Sequence, residues 1–98
     1  MNISTPAILH DSEQQRFTAE VAGRSCMASY QRQNDHIVMD HTVVPPELQG
    51  QGLAALLVQT ALDWARQEGL KVVPQCSYVA VYMRRHSETH DLLYRTTP

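Results

Sequence analysis

Residues 43–54 read Val-Val-Pro-Pro-Glu-Leu-Gln-Gly-Gln-Gly-Leu-Ala, an apolar strand end, a stiff turn and a glycine pair opening a helical run. Gly50 and Gly52 let the main chain approach a ligand with no Cβ in the way, and the first amides of a helix have no partner inside it. The chemistry on offer is anion binding, with phosphate the natural guest, helped by the partial positive charge of the helix end. Two thiols, Cys26 and Cys76, lie far apart without CxxC spacing, which argues against a disulfide framework or a zinc site. His86 and His90 would share one helix face. Their segment, His-Ser-Glu-Thr-His, is not HExxH and offers no third ligand, so no metal site is expected.

These groups need elements to position them. Ile8-Leu9-His10 and Arg16–Val21 flank a polar stretch and suggest an antiparallel hairpin, with Phe17, Ala19 and Val21 alternating against Thr18 and Glu20. Ala22-Gly23-Arg24 offers a tight turn into a strand over 25–31, and Gln33-Asn34-Asp35 another into a strand over 36–44. That last strand carries β-branched residues on both faces and is expected mid-sheet, covered on both sides. Pro45 and Pro46 stop it, since neither can donate to a sheet ladder.

From Gln51 to Glu68 the apolar residues Leu53, Leu56, Leu57, Ala61, Trp64 and Ala65 recur at helical spacing, and Gly69 stands where a left-handed C-terminal cap belongs. The stripe is read as core. A strand over 71–76 then completes a β-α-β crossover with parallel strands. Ser77 is placed to cap a helix running to about His86, and 88–94 adds a last turn or two. The expected class is α/β in the α+β sense: a mixed, mostly antiparallel sheet with one β-α-β unit.

The chain has 98 residues, enough for one compact domain over 1–98 and too few for two. Apolar residues at 43% and charged residues at 18% place it among globular sequences and away from disorder. A formal net charge of −2 leaves no electrostatic footprint for nucleic acid. No apolar run reaches the ~20 residues of a membrane span, and the N-terminus lacks the parts of a signal peptide, so a cytoplasmic protein is expected. The oligomeric state is not legible.

No GxxxxGK[ST] is present, which excludes a P-loop nucleotidase, and GxGxxG fails at Ala55. Gln49-Gly-Gln-Gly-Leu-Ala54 instead fits [QR]-x-x-G-x-[GA], and its strand-loop-helix setting resembles motif A of the GNAT superfamily of acetyl-CoA-dependent N-acetyltransferases. His41-Thr-Val-Val-Pro before the loop, Gly-Leu-Ala-Ala-Leu-Leu from Gly52, and Val-Pro-Gln-Cys-Ser-Tyr at 73–78 look like its short, cysteine-containing YjdJ-type branch. The likeness covers most of 15–90 and implies a minimal GNAT-like fold with acetyl-CoA as co-substrate.

The resemblance also implies roles. Main-chain amides matching Gln51, Gly52, Leu53 and Ala54 hold the coenzyme A pyrophosphate, with Gln49 and Gly50 completing the loop. The main chain matching Val43 and Val44 pairs with the pantetheine arm, as an added strand would where two strands splay. Cys76, at the end of the second parallel strand, is then a candidate nucleophile, its thiolate favoured by the helix beginning near Ser77. Cys26, inside an ordinary strand pattern, is read as packing.

Direct transfer is the competing route, in which a base deprotonates the amine and an acid protonates the leaving thiolate. Asp40 or His41 is a candidate base, and Tyr82 a candidate acid. Arg84 and Arg85 end the second helix and complement its dipole, with a coenzyme phosphate as an alternative partner. The short chain leaves the acceptor side open, for a protein amine or a small molecule. An acyl-CoA-binding module with weak transfer is the alternative to an acetyltransferase, and a nucleotide-binding interaction domain stands behind both.

Overall fold

The structure is a computed structural model describing residues 6–95; the first five residues, part of the segment read above for a targeting signal, lie outside the described residues, as do 96–98. Strands β1 (Leu9–Asp11), β2 (Arg16–Val21), β3 (Arg24–Arg32) and β4 (His36–Val43) form an antiparallel meander. Helix α1 (Leu53–Gln67) carries the chain over to β5 (Lys71–Pro74), which pairs parallel with β4, and α2 (Ser77–Arg85) follows. The sheet order is β1-β2-β3-β4-β5. Mixed sheet, meander and β-α-β unit therefore stand as expected.

Each junction has a local cause. Ala22 and Gly23 both take positive φ, 53° and 76°, as a two-residue turn matching the twist of β2 and β3 requires. At the end of α1, Gly69 N–H donates to Arg66 O at 3.2 Å and Leu70 N–H to Ala65 O at 2.8 Å, with Gly69 at φ 69°. This is a Schellman cap, at the glycine the sequence marks.

One sheet face is the core. Phe17 and Ala19, then Cys26, Ala28 and Tyr30, then Ile37 and Met39, then Val72 alternate along neighbouring strands and are buried together. Leu57, Val58, Ala61, Leu62 and Ala65 of α1, with Val79 and Met83 of α2, close over them. Burying a side chain such as Leu57 contributes about 1.5–3 kcal/mol, so this stripe rather than local propensity holds α1 in place.

Four expectations change. β4 is interior, between β3 and β5, but is covered on one face only: Ile37 and Met39 are buried while Val38 and Asp40 keep partial exposure. Its β-branched residues suit a pleated strand without demanding double burial. α1 begins at Leu53, not Gln51, because Gly52 is its N-cap with φ 79°. β5 ends at Pro74, not Cys76, since β4 and β5 separate there. The residue capping α2 is Cys76 in extended conformation, with Ser77 already helical.

β4 also carries a bulge. Ser29 pairs with His41 and Tyr30 with Met39, so Asp40 is the extra residue. Past it the alternation is offset: Thr42 pairs with Ala28 on the helix-covered face, and His41 with Ser29 on the other. Among the described residues no helix is long and apolar enough to cross a membrane.

Candidate active site

The loop between β4 and α1 is built for free amides. Pro46–Leu48 makes one 3₁₀ turn, closed by Leu48 N–H to Pro45 O at 2.9 Å and pinned by the buried Leu48 side chain. Gln49 folds back, its Nε2 donating to Val44 O at 3.0 Å, which braces the loop on the strand end. Gly50 and Gly52 both adopt left-handed φ, 85° and 79°, with open space where a Cβ would stand. The glycines are required by conformation, and the space before them is free for a guest.

The first bond of α1 is Leu56 N–H to Gly52 O at 3.0 Å, and no side chain caps the helix. Among the described residues, no carbonyl or side chain accepts from the amides of Gly50 through Ala55. Unpaired donors at a helix start with no acidic residue in its first turn make an anion seat.

A cavity of about 420 Å³ opens on this loop, lined by Gly50, Gly52, Leu53 and Ala54 of the loop and helix start together with Thr42 of β4 and Tyr78 of α2. That volume falls in the ~300–1,000 Å³ range of small-molecule sites. Val44, just past the strand end, also lines the cavity, while Val43, the last residue of β4 and 48% exposed, is not among the lining residues. The ladder between β4 and β5 stops at Met39 and Pro74, so Asp40–Val43 have no partner in β5. The splay expected from sequence is present.

Cys76 stands at the parting. Its amide donates to Met39 O at 2.9 Å, and its Sγ lies 3.6 Å from Thr42 Oγ1. Burial pushes the thiol pKa up, but the amides of Val79, the Thr42 hydroxyl and the amides of Tyr78 and Thr42 outweigh it, so the net shift is downward. Cys26 behaves oppositely: it is wholly buried in β3, and burial alone raises its pKa.

The acid–base candidates lie elsewhere. His41 is exposed on the sheet face away from the helices. Asp40 shares that face, accepting from Ser29 Oγ at 2.6 Å and Gln31 Nε2 at 3.1 Å. Burial raises the Asp40 pKa, and these two bonds more than offset it, leaving a carboxylate below the usual range. Tyr82 lines a different cavity, with Leu62, Arg66 and Thr89, and stacks on His86 at 3.9 Å. Burial, with Glu88 nearby, pushes its pKa up.

His86 and His90 are helix caps. Nδ1 of His86 meets Tyr82 O at 2.7 Å, Nε2 of His90 meets Met83 O at 2.8 Å, and among the described residues no cluster could hold a metal ion. Arg84 and Arg85 are exposed in the last turn of α2. Thr42 and Tyr78 face the cavity unforeseen. Only the bulge, a property of pairing, turns Thr42 inward.

A GCN5-related N-acetyl-transferase family model matches residues 16–92, most of the chain and every element from β2 through α2. The chain belongs to the GCN5-related N-acetyltransferase family. It is an acetyltransferase, and members of the family generally use acetyl-CoA with an acceptor. Relatives include Protein NATD1 of Gallus gallus, 31% identical over 80 residues that span 79% of this chain and 73% of that protein. Protein NATD1 of Homo sapiens is likewise 31% identical over 80 residues, spanning 79% and 71%. The NMR structure of a GCN5-like protein from Staphylococcus aureus superposes with a TM-score of 0.74 at 23% identity, covering 97% of this chain and 94% of that one. The two chains therefore share one overall fold over nearly their whole length.

Proposed function

We propose that the chain moves the acetyl group of acetyl-CoA to an amine acceptor through an acetyl-Cys76 intermediate. The observation that carries the reading is the position of Cys76 where β4 and β5 part, its sulfur 3.6 Å from a hydroxyl on the wall of the cavity that starts at the free amides. The amides of Gln51, Gly52, Leu53 and Ala54 are the seat for the pyrophosphate, with Gln49 and Gly50 shaping the loop. Main-chain groups at Val43 and Val44 pair with the pantetheine amides.

In the first step the Cys76 thiolate attacks the acetyl carbonyl carbon, a new C–S bond forms, and the bond to the coenzyme sulfur breaks. Coenzyme A leaves as a thiolate and takes a proton from water. In the second step the unprotonated amine attacks acetyl-Cys76, the C–S bond breaks, and the amine gives up its proton to solvent. Net, one acetyl group exchanges a thioester for an amide and Cys76 is regenerated. Tyr82 lining a different cavity and His41 facing outward favour this route over direct transfer between side-chain base and acid.

The acceptor is an amine, on a protein or a small molecule. The free thiol state of both cysteines fits a cytoplasmic setting. A second reading, an acyl-CoA-binding module with slow turnover, is favoured by the absence of any histidine or carboxylate from the residues lining the cavity. Release of coenzyme A in the presence of a panel of amines and basic peptides tests both. Amine-dependent release lost in Cys76→Ala supports the nucleophile; release unchanged in that variant overturns it.

A further inference from the structure

Thr42 touches both halves of the site. Its side chain lines the cavity, and its Oγ1 lies 3.6 Å from Cys76 Sγ. It faces that way because of one extra residue. Counting from the buried Met39, strict alternation would send His41 to the helix-covered face and Thr42 to the other. The bulge at Asp40 reverses this, pairing Thr42 with Ala28 and sending His41 outward with Ser29.

We propose that Thr42 is the positioning residue for the nucleophile: its hydroxyl, on the cavity wall, fixes the neighbouring Cys76 sulfur and donates a hydrogen bond to the thiolate. The inference rests on the reading of Cys76 as nucleophile. In the neutral state the S–H donates to Oγ1. A hydroxyl can turn its own hydrogen, so on deprotonation Thr42 becomes the donor without moving. A hydrogen bond made to the charged form favours that form. A β-branched side chain on a strand is stiff at χ1, which fixes the oxygen in place.

No charged side chain is needed for this effect. Asp40 and His41 lie on the far face of β4, and the first turn of α1, Leu53 to Leu57, carries no titratable group. Lys71 is at the opposite end of β5, and Tyr78 of α2 is a phenol that burial keeps neutral. The downward shift of the thiol, in which the Thr42 hydroxyl takes part, agrees with the geometry.

The test is the pH profile of Cys76 alkylation by iodoacetamide in the native protein, followed by peptide mapping, for the parent, Thr42→Val and Thr42→Ser. The expected result is a profile displaced to higher pH in Thr42→Val, slowing alkylation at neutral pH by about threefold to tenfold, and restored by Thr42→Ser. Superimposed profiles for all three overturn the proposal, and so does a serine variant that behaves like valine. If Thr42→Val does not fold, Thr42→Ala against Thr42→Ser makes the same comparison. Alkylation requires no acetyl-CoA, so a protein that never becomes acetylated but shows these shifts refutes the acetyl-Cys76 reading and leaves the Thr42–Cys76 coupling standing.

Discussion

The amide of Cys76 donates to the carbonyl of Met39 at 2.9 Å, and beyond that bond β4 has no neighbour in β5. The same residue thus ends the parallel pairing, caps α2 and brings its sulfur to Thr42. An open strand edge and a free helix start lie on one cavity.

If the edge and loop receive coenzyme A, they will be protected by it. Coenzyme A is expected to slow amide hydrogen exchange in the 42–44 and 50–55 stretches and to leave the β1–β2 hairpin unchanged. Exchange read by mass spectrometry or NMR checks this, and protection spread evenly over the chain would count against the assignment.

Gly52→Ala places a Cβ in open space at φ 79°, so its cost is conformational. A loss of about 1–2 kcal/mol in unfolding free energy is expected, together with weaker coenzyme A binding as the Leu53 and Ala54 amides rotate. Gly23→Ala, at φ 76° in the β2–β3 turn, should lose similar stability and keep its affinity. Thermal unfolding and titration calorimetry of the pair separate the two effects.

The two thiols should differ sharply in reactivity. Cys26 is wholly buried with its pKa raised by burial, while Cys76 is partly exposed with its pKa lowered. Native-state alkylation at neutral pH is expected at Cys76 alone, with Cys26 reacting only after denaturant is added. Peptide mapping reads the result directly.

Much of this was legible along the chain. The meander, α1 with its Gly69 cap, β5 and the glycine junction each carry their signal in consecutive residues: alternation, helical spacing, or a residue suited to positive φ. The bulge at Asp40 was not, because a register offset belongs to two strands at once and neither sequence alone encodes it. From it follow the outward His41 and the inward Thr42. Tyr82 is likewise a matter of placement along the helix: the tyrosine one turn earlier on nearly the same face, Tyr78, lines the cavity instead.

His10, by sequence only a strand residue, joins an aromatic cluster. Its ring stacks on Phe17 at 4.1 Å and meets Trp64 edge-on at 4.6 Å, and Nε2 lies 2.5 Å from Tyr30 Oη. Burial lowers its pKa, with Asp11 and Glu68 opposing in part. A histidine pKa below its unfolded value favours the neutral form in the fold. Its contribution is therefore fully present above pH ~6.5 and is lost as pH falls from there through the lowered folded value. The melting temperature should drop as pH falls below about 6.5, and drop less in His10→Gln. Equal drops in parent and variant would remove His10 from the account.

The central claim is the covalent role of Cys76, and intact mass spectrometry after incubation with acetyl-CoA alone reads it most directly. The expected result is a gain of one acetyl group, mapped to the peptide containing Cys76, absent in Cys76→Ala and discharged when an acceptor amine is added. Turnover on an amine with no acetyl group ever found on the protein, or with Cys76→Ala as active as the parent, would contradict it.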